Sequence, residues 1–208
     1  MALHYRTQGL IIKKVDRAEA DQLLTIYTKD FGKLKVLGKA IRKIKSKLRG
    51  GADLFYLSEI EFIQGKNQKT LTDAVLIDGF FNIRKDLTKL SVSHQIADML
   101  DKLVSEEQKD EETWQLLNKV FDKLNNLSFV INHLPLLYYF FFWNLVSSLG
   151  YEPELRSDAL CGKKIDTELA KILKIILKKD WHVLSRLKIE DRHIELLKDV
   201  SEWYKINI

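Results

Sequence analysis

Eight cations lie close together in one segment of the sequence, and their density suits contact with a polyanion. Between Asp30 and Asp53 the chain carries no acidic residue. The cations of this segment are Lys33, Lys35, Lys39, Arg42, Lys43, Lys45, Lys47 and Arg49. Lysine and arginine bind a polyanion by releasing its condensed counterions, which gives affinity without sequence readout and a strong dependence on salt. The pattern therefore predicts a polyanion-binding segment.

The charge of the whole chain is uneven in the same sense. Residues 1–80 hold 15 Lys and Arg against 9 Asp and Glu, whereas residues 81–208 hold 19 against 20. A solvated cationic loop without a ligand is one alternative. A membrane surface is another, which the β context and the lack of a strong amphipathic anchor disfavour. Aromatic platforms for a single strand would come from neighbouring strands, with Phe31, Phe55, Tyr56 and Phe62 available.

Catalytic patterns are weak in this sequence. The stretch GKLKVLGKA fails as a phosphate-binding loop, because five residues separate Gly32 from Gly38 and Ala40 replaces the Ser or Thr that holds magnesium. Cys161 has no base near it in sequence, and the histidines are scattered at His4, His94, His133, His182 and His193. We predict no enzyme, no metal and no cofactor. An enzyme built from dispersed carboxylates, such as a metal-dependent nuclease, is the catalytic alternative.

Short apolar runs fill the sequence up to about Gly79. Their lengths and β-branched content predict five strands: GLIIKKV, QLLTIYT, KLKVLGKAI, LFYLSEIEFI and TLTDAVLID. The third and fourth strands are joined by the long basic segment RKIKSKLRGGAD. Five short strands with one long connection predict a small barrel of the OB type, with an SH3-like barrel as the main alternative.

A helical period replaces the strand pattern after Phe80. It predicts a helical segment with apolar residues from Leu87 to Leu103 that ends before SEEQKDEE, and an aromatic helix from about Asn132 to Leu149. Further helices are predicted at TWQLLNKVFDKLNNL, DTELAKILKIILKK and EDRHIELLKDVSEWYK. SEEQKDEE reads as a charged loop. We therefore predict an α+β protein of two domains, a five-stranded barrel over residues 1–80 and an all-α domain over residues 81–208.

The compartment follows from three features. The start, MALHYRTQG, lacks the pattern of a signal peptide, and a single cysteine excludes an intramolecular disulfide framework. The run LPLLYYFFFWNLVSSL is shorter than the roughly 20 residues that span a bilayer. We expect a cytoplasmic protein that does not bind membranes.

The order of these motifs resembles the bacterial RecO family of recombination mediators. The resemblance is carried by a Gly-Leu-Ile strand, an acidic E-x-D turn, a leucine-rich strand that ends in Thr, a G-K-L strand and a basic loop that begins with Gly and ends in Lys-Ser. Here these are Gly9 to Ile12, Glu19 and Asp21, Leu23 to Thr28, Gly32 to Leu34, and Gly38 to Ser46. SSLGYEPEL and the dipeptide Cys161-Gly162 continue it.

The resemblance implies a function without covalent catalysis. Proteins of this family bind single- and double-stranded DNA and anneal complementary strands. With their partner RecR they help to load RecA onto DNA coated by single-stranded DNA-binding protein. The segment from Lys33 to Arg49 would then grip the DNA backbone. An OB-fold RNA-binding or ribosome-associated module is the alternative that the fold and the cations would serve equally well.

The sequence departs from the family pattern twice. Many members hold zinc with a C-x-x-C-G element and a second cysteine pair, whereas this chain has Asp158-Ala159-Leu160-Cys161-Gly162 and one cysteine. We expect no zinc near residues 158–162 and a region held by packing. The helix before LGY, which in relatives often carries arginines for the acidic tail of single-stranded DNA-binding protein, has no cation here. That tail would need other partners, with Arg156, Lys163 and Lys164 as candidates.

Overall fold

The computed structural model describes residues 3–126, 133–156 and 159–207. These residues form two compact units, Met1–Gln115 and Leu116–Ile208. The barrel strands end at Asp78 and helices begin at Phe81, where the sequence pattern also changes. The two-part α+β fold is confirmed, while the placement of the domain boundary at residue 80 stays a prediction.

The first unit contains a closed five-stranded barrel. Its strands are β1 (His4–Arg17), β2 (Asp21–Thr28), β3 (Gly32–Gly38), β4 (Leu57–Gln64) and β5 (Lys69–Asp78). They hydrogen-bond in the order β1–β2–β3–β5–β4, and β1 also pairs with β4. All neighbours are antiparallel except β3 and β5, which run parallel. The predicted OB-type barrel is thus confirmed.

Strand β1 is longer than its apolar pattern predicted, because it serves two partners in succession. His4 to Leu10 pair with β4, while Gly9 to Arg17 pair with β2. At Gly9, where the two pairings overlap, an added Cβ would lie 2.6 Å from the side chain of Ile26. Glycine therefore permits the close approach that the crossing of the strands requires.

Helices follow the barrel. The first unit contains α1 (Phe81–Arg84) and α2 (Leu87–Leu103), and the division between the units falls within α3 (Glu111–Asn126). Asp86 caps α2, since its carboxylate accepts hydrogen bonds from the backbone N–H groups of Thr88 and Lys89. The long helices were predicted, whereas α1 is too short to leave a helical period in the sequence.

The second unit is built around the aromatic helix. Its elements are α4 (His133–Ser148), the short strands β6 (Ala159–Leu160) and β7 (Lys163–Lys164), α5 (Thr167–Leu177), α6 (Trp181–Leu184) and α7 (Asp191–Asn207). Phe140 to Trp143 are completely buried. Asn132, the predicted start of this helix, lies outside the described residues. In the part of the chain described here, no helix is both long and apolar enough to cross a membrane.

One buried cation links β3 to α2 within the first unit. Lys33 is 5% exposed, and its ammonium donates a hydrogen bond to the backbone carbonyl of Asp101. It also lies 3.5 Å from the Asp101 carboxylate, which Lys13 approaches to 2.7 Å. Burial would raise the pKa of Asp101, but the hydrogen bond from Lys13 and the charges of Lys13 and Lys33 outweigh it and lower that pKa.

We expect Asp101→Asn to destabilise the protein, because it leaves the Lys33 ammonium buried without its carboxylate. The loss should be about 3 kcal/mol, the lower end for a broken buried pair, since Asp101 is itself partly exposed. Asp98→Asn, an exposed change on the same helix, is the control and should shift stability by only about 0.5 kcal/mol. Urea unfolding at pH 7 measures both, and equal midpoints would contradict the assignment.

The same pair predicts an acid dependence. The pKa of Asp101 in the folded protein lies below its ordinary value of 3.8, so the carboxylate stabilises the fold fully above about pH 5. This contribution is lost as the pH falls through 3.8 and then through the lower folded pKa. The stability of Asp101→Asn should therefore fall less between pH 5 and pH 3 than that of the parent.

Candidate nucleic-acid interface

The basic loop, defined here as residues 39–50, leaves β3 at Gly38 and closes with a 3₁₀ turn at Lys47–Gly50. Ala40 adopts a left-handed conformation with φ of 51°. Its backbone N–H donates to the Asp21 carboxylate at 2.7 Å, and the N–H of Arg42 donates to the carbonyl of Ala20 at 3.0 Å. The start of the loop is therefore tied to the turn between β1 and β2.

Two apolar side chains anchor the basic loop in the barrel. Ile41 is 3% exposed and Leu48 is 9% exposed, and both belong to the barrel core. Ile44, between them, is 89% exposed. The loop is thus anchored in the barrel by Ile41 and Leu48, which explains why its apolar residues do not continue strand β3. We call the exposed lysines of this loop, Lys39, Lys43, Lys45 and Lys47, the crest.

Six of the eight predicted cations project from this loop, and all six are exposed: Lys39, Arg42, Lys43, Lys45, Lys47 and Arg49. Arg42 lies 3.2 Å from the carboxylate of Asp16. Within residues 3–126, 133–156 and 159–207, the other five make no ion pair with an acidic side chain. The positive charges of such an array repel one another, and together they attract a polyanion.

The two cations of strand β3 are engaged differently from those of the loop. Lys33 is buried against Asp101, so this predicted DNA contact is corrected: its ammonium is not available to a ligand. Lys35 is exposed and forms an ion pair with Glu106. The backbone N–H of Glu107 donates to the carbonyl of Lys33 at 2.9 Å. The segment predicted as a charged loop therefore lies along β3.

The sequence did not predict the pairing of this acidic segment with the barrel, because its partners are remote in the chain. Glu107 also pairs with Lys69 of β5. Gly32, with φ of +65°, allows the approach, since an added Cβ would lie 2.0 Å from the carbonyl oxygen of Gln108. The available signal was the acidic run SEEQKDEE itself, which has the opposite charge to β3. It could have indicated a pairing but not its register.

The aromatic residues considered for stacking separate into buried and half-buried groups. Phe55 and Phe62 are each 1% exposed and belong to the interior. Tyr5 and Phe31 are half-buried beside Phe62, with ring centroids 5.3–5.5 Å apart, and the three line a cavity of about 210 Å³. Tyr56 contacts the guanidinium of Arg84. None of these rings belongs to the basic loop itself.

Backbone hydrogen bonds hold the region that follows LGY. The N–H of Cys161 donates to the carbonyl of Glu154 at 2.8 Å, and Leu155 forms a β-bridge with buried Leu160. In the described part of the chain, no three His, Cys, Asp or Glu side chains are grouped so that they could hold a metal. Asp158, which replaces a cysteine of the family pattern, lies outside the described residues.

The candidates for an acidic tail are all exposed. They are Arg156, Lys163 and Lys164. The ammonium of Lys163 lies 4.7 Å from the centre of the Trp203 ring, so a cation and an indole face are presented together. Helix α4 carries no cation in its last turn.

Comparison with known proteins identifies both parts of the chain. Residues 1–80 match the family model described as Recombination protein O N terminal, and residues 84–169 match Recombination protein O C terminal. The chain is 33% identical over 165 residues to the DNA repair protein RecO of Dehalococcoides mccartyi strain CBDB1, which is 79% of this chain and 64% of that protein. It is 30% identical over 167 residues to the DNA repair protein RecO of Syntrophomonas wolfei, covering 80% and 65%. The chain thus spans less than two thirds of the length of these relatives.

The packing of the basic loop predicts opposite outcomes for two adjacent glycines. In Gly51→Ala the new Cβ would lie 2.1 Å from the carbonyl oxygen of Ala74, whereas at Gly50 nothing lies within 4 Å. We expect Gly51→Ala to reduce the free energy of unfolding by about 1–3 kcal/mol. Gly50→Ala, the matched control, should change it by only about 0.5 kcal/mol. Equal unfolding midpoints for the two variants in urea would contradict this close packing.

We also expect the fold to be independent of zinc. One cysteine cannot build the tetrahedral thiolate site that structural zinc requires. Elemental analysis should find substoichiometric zinc, and a chelator should leave the melting temperature unchanged. Cys161→Ser should have little effect on stability, because Cys161 is exposed. One tightly bound zinc per chain would contradict the prediction.

Proposed function

This chain belongs to the RecO family, and on that premise we propose that it is a DNA-binding mediator of DNA repair and homologous recombination. It binds single- and double-stranded DNA through the basic loop, anneals complementary strands and assists RecA loading together with RecR. It performs no covalent catalysis and requires no cofactor. A role at the bacterial chromosome would place it in the cytoplasm.

One observation carries this proposal: the cations of strand β3 differ from those of the crest in whether they have an acidic partner. Lys33 and Lys35 have acidic partners, whereas Lys39, Lys43, Lys45, Lys47 and Arg49 are exposed and have none in the described part of the chain. If the cations of this region served solubility alone, nothing would favour leaving one group unpaired beside another that is neutralised.

The chemistry of the basic loop suits annealing. Lysines on a crest contact phosphates and read no base edges, so any two strands are held equally well. A protein that pairs complementary strands of arbitrary sequence needs this indifference. Binding by counterion release is also reversible with salt, which allows the duplex to be released once it has formed.

Protein partners are the second part of the proposal. We propose that the acidic tail of single-stranded DNA-binding protein contacts Arg156, Lys163 and Lys164, because α4 offers no cation. The indole of Trp203 beneath Lys163 would give an apolar face to such a tail. RecR and, indirectly, RecA are partners that follow from the family role alone.

The proposal predicts that neutralising the crest weakens DNA binding without unfolding the protein. We expect the combined substitution Lys39→Gln, Lys43→Gln, Lys45→Gln and Lys47→Gln to weaken binding about equally for unrelated sequences. The slope of log affinity against log salt should fall by roughly 0.7 for each lost contact on single strands. Fluorescence anisotropy across a salt series measures both quantities.

A matched control removes the same charge elsewhere. Lys66, Lys171, Lys174 and Lys198 are exposed, and changing all four to Gln leaves the basic loop intact. The control should keep most of the parent's affinity and its ability to accelerate duplex formation between labelled strands. A crest variant that melts normally yet binds and anneals like the parent would refute the proposal. Preference for a structured RNA over single-stranded DNA of equal length would favour the RNA-binding alternative instead.

A further inference from the structure

A polar cavity of about 340 Å³ opens beside the two anchored ends of the basic loop. It lies between strands β1 and β2, the loop and the segment that leads into β4. Its lining residues are Lys14, Gln22, Ile41, Arg42, Arg49, Ala52 and Asp53. The volume exceeds the roughly 30 Å³ of one water molecule many times over, so a phosphate group and several waters fit.

The lining has an excess of positive charge, with three cations and one carboxylate. Lys14 lies 2.6 Å from Asp53, and Arg84 also reaches this carboxylate at 3.3 Å. Burial would raise the pKa of Asp53, but the hydrogen bonds from Lys14 and the N–H of Leu54 outweigh it and lower that pKa. Asp53 is therefore ionised and balances Lys14, which leaves the two arginines to determine the sign of the cavity.

The two arginines differ in how firmly they are engaged. Arg42 lies 3.2 Å from Asp16, which also accepts a hydrogen bond from Gln22. Arg49 has no acidic partner in the described part of the chain. A guanidinium offers a planar pair of donors that matches two phosphate oxygens, which an ammonium cannot do.

Each arginine directly follows a buried anchor of the loop. Arg42 follows Ile41, and Arg49 follows Leu48. Of the exposed lysines of the loop, Lys43, Lys45 and Lys47 lie between these anchors, near exposed Ile44. The backbone at each arginine is thus placed next to a buried anchor at the cavity.

We propose that this cavity is a discrete phosphate-binding notch, in which Arg49 and Arg42, supported by Lys14, hold one backbone phosphate of the bound nucleic acid. The inference rests on the proposed function and adds a fixed point to it. The crest supplies diffuse attraction, and the notch sets where along the loop the strand lies.

The test compares substitutions that remove one charge each from two places on the same loop. Lys47 belongs to the 3₁₀ turn with Arg49 and does not line the cavity. We expect Arg49→Gln to weaken the binding of a short single-stranded oligonucleotide roughly tenfold, as for loss of a charge-assisted hydrogen bond, and Lys47→Gln to weaken it far less. Arg49→Lys keeps the charge but loses the paired donors, so its affinity should lie nearer to Arg49→Gln than to the parent. Arg49 is exposed, and melting temperatures equal to the parent's confirm that all variants fold.

Inorganic phosphate distinguishes a DNA phosphate from a free anion. At constant ionic strength, replacing chloride by phosphate should displace the oligonucleotide from the parent more strongly than from Arg49→Gln. Phosphate could compete in this way while Arg49→Gln and Lys47→Gln both bind DNA as tightly as the parent. The notch would then hold a free anion, and its assignment to DNA would be wrong. Equal weakening by all three single substitutions would overturn the notch and leave the proposed function intact. If these variants and the crest variant all bind like the parent, the proposed function fails as well.

Discussion

The burial of Lys33 is the constraint on which the arrangement of charge in the first unit depends. An ammonium removed from water must find both a counter-charge and hydrogen-bond acceptors, or the fold is strongly destabilised. Asp101 supplies a carboxylate and a carbonyl, which fixes the end of α2 against β3. The acidic segment that follows α2 then lies along the same strand, where Glu106 reaches Lys35. Among the cations from Lys33 to Arg49, those without an acidic partner in the described part of the chain therefore all lie in the loop beyond Gly38.

The sequence predicted the barrel and the basic loop well because both have local signals. Short apolar runs rich in β-branched residues mark the strands, and a long cationic connection marks the loop. It did not predict the fate of Lys33 and Lys35, since their partners lie about seventy positions away and charge alone specifies no pairing. Ile41 illustrates a subtler limit: its apolar side chain extended the predicted third strand, yet the left-handed turn at Ala40 makes it an anchor of the loop. Periodicity reports which residues are apolar and does not report which element buries them.

The second unit shows how apolar packing and backbone bonding hold its elements together. Helix α4 was predicted as an aromatic helix, and one polar residue within it has a structural use. Asn144 donates hydrogen bonds to the carbonyls of Phe140 and Ile176, which joins α4 to α5. Near Cys161, a β-bridge and the burial of Leu160 hold the short hairpin. No sequence pattern predicts such backbone bonds. For the region near Cys161, only the absence of ligand cysteines could be predicted from the sequence.

The double pairing of β1 has a consequence for how other proteins approach the barrel. Each of the five strands has two neighbours in the barrel, and where the contact between β3 and β5 ends, the backbone of Lys33 bonds to that of Glu107. A strand edge that is already paired offers no template for strand addition, the route by which extended peptides often join a partner and by which β proteins aggregate. Over the paired stretches, a partner of the barrel must then recognise side chains rather than extend the hydrogen-bond ladder.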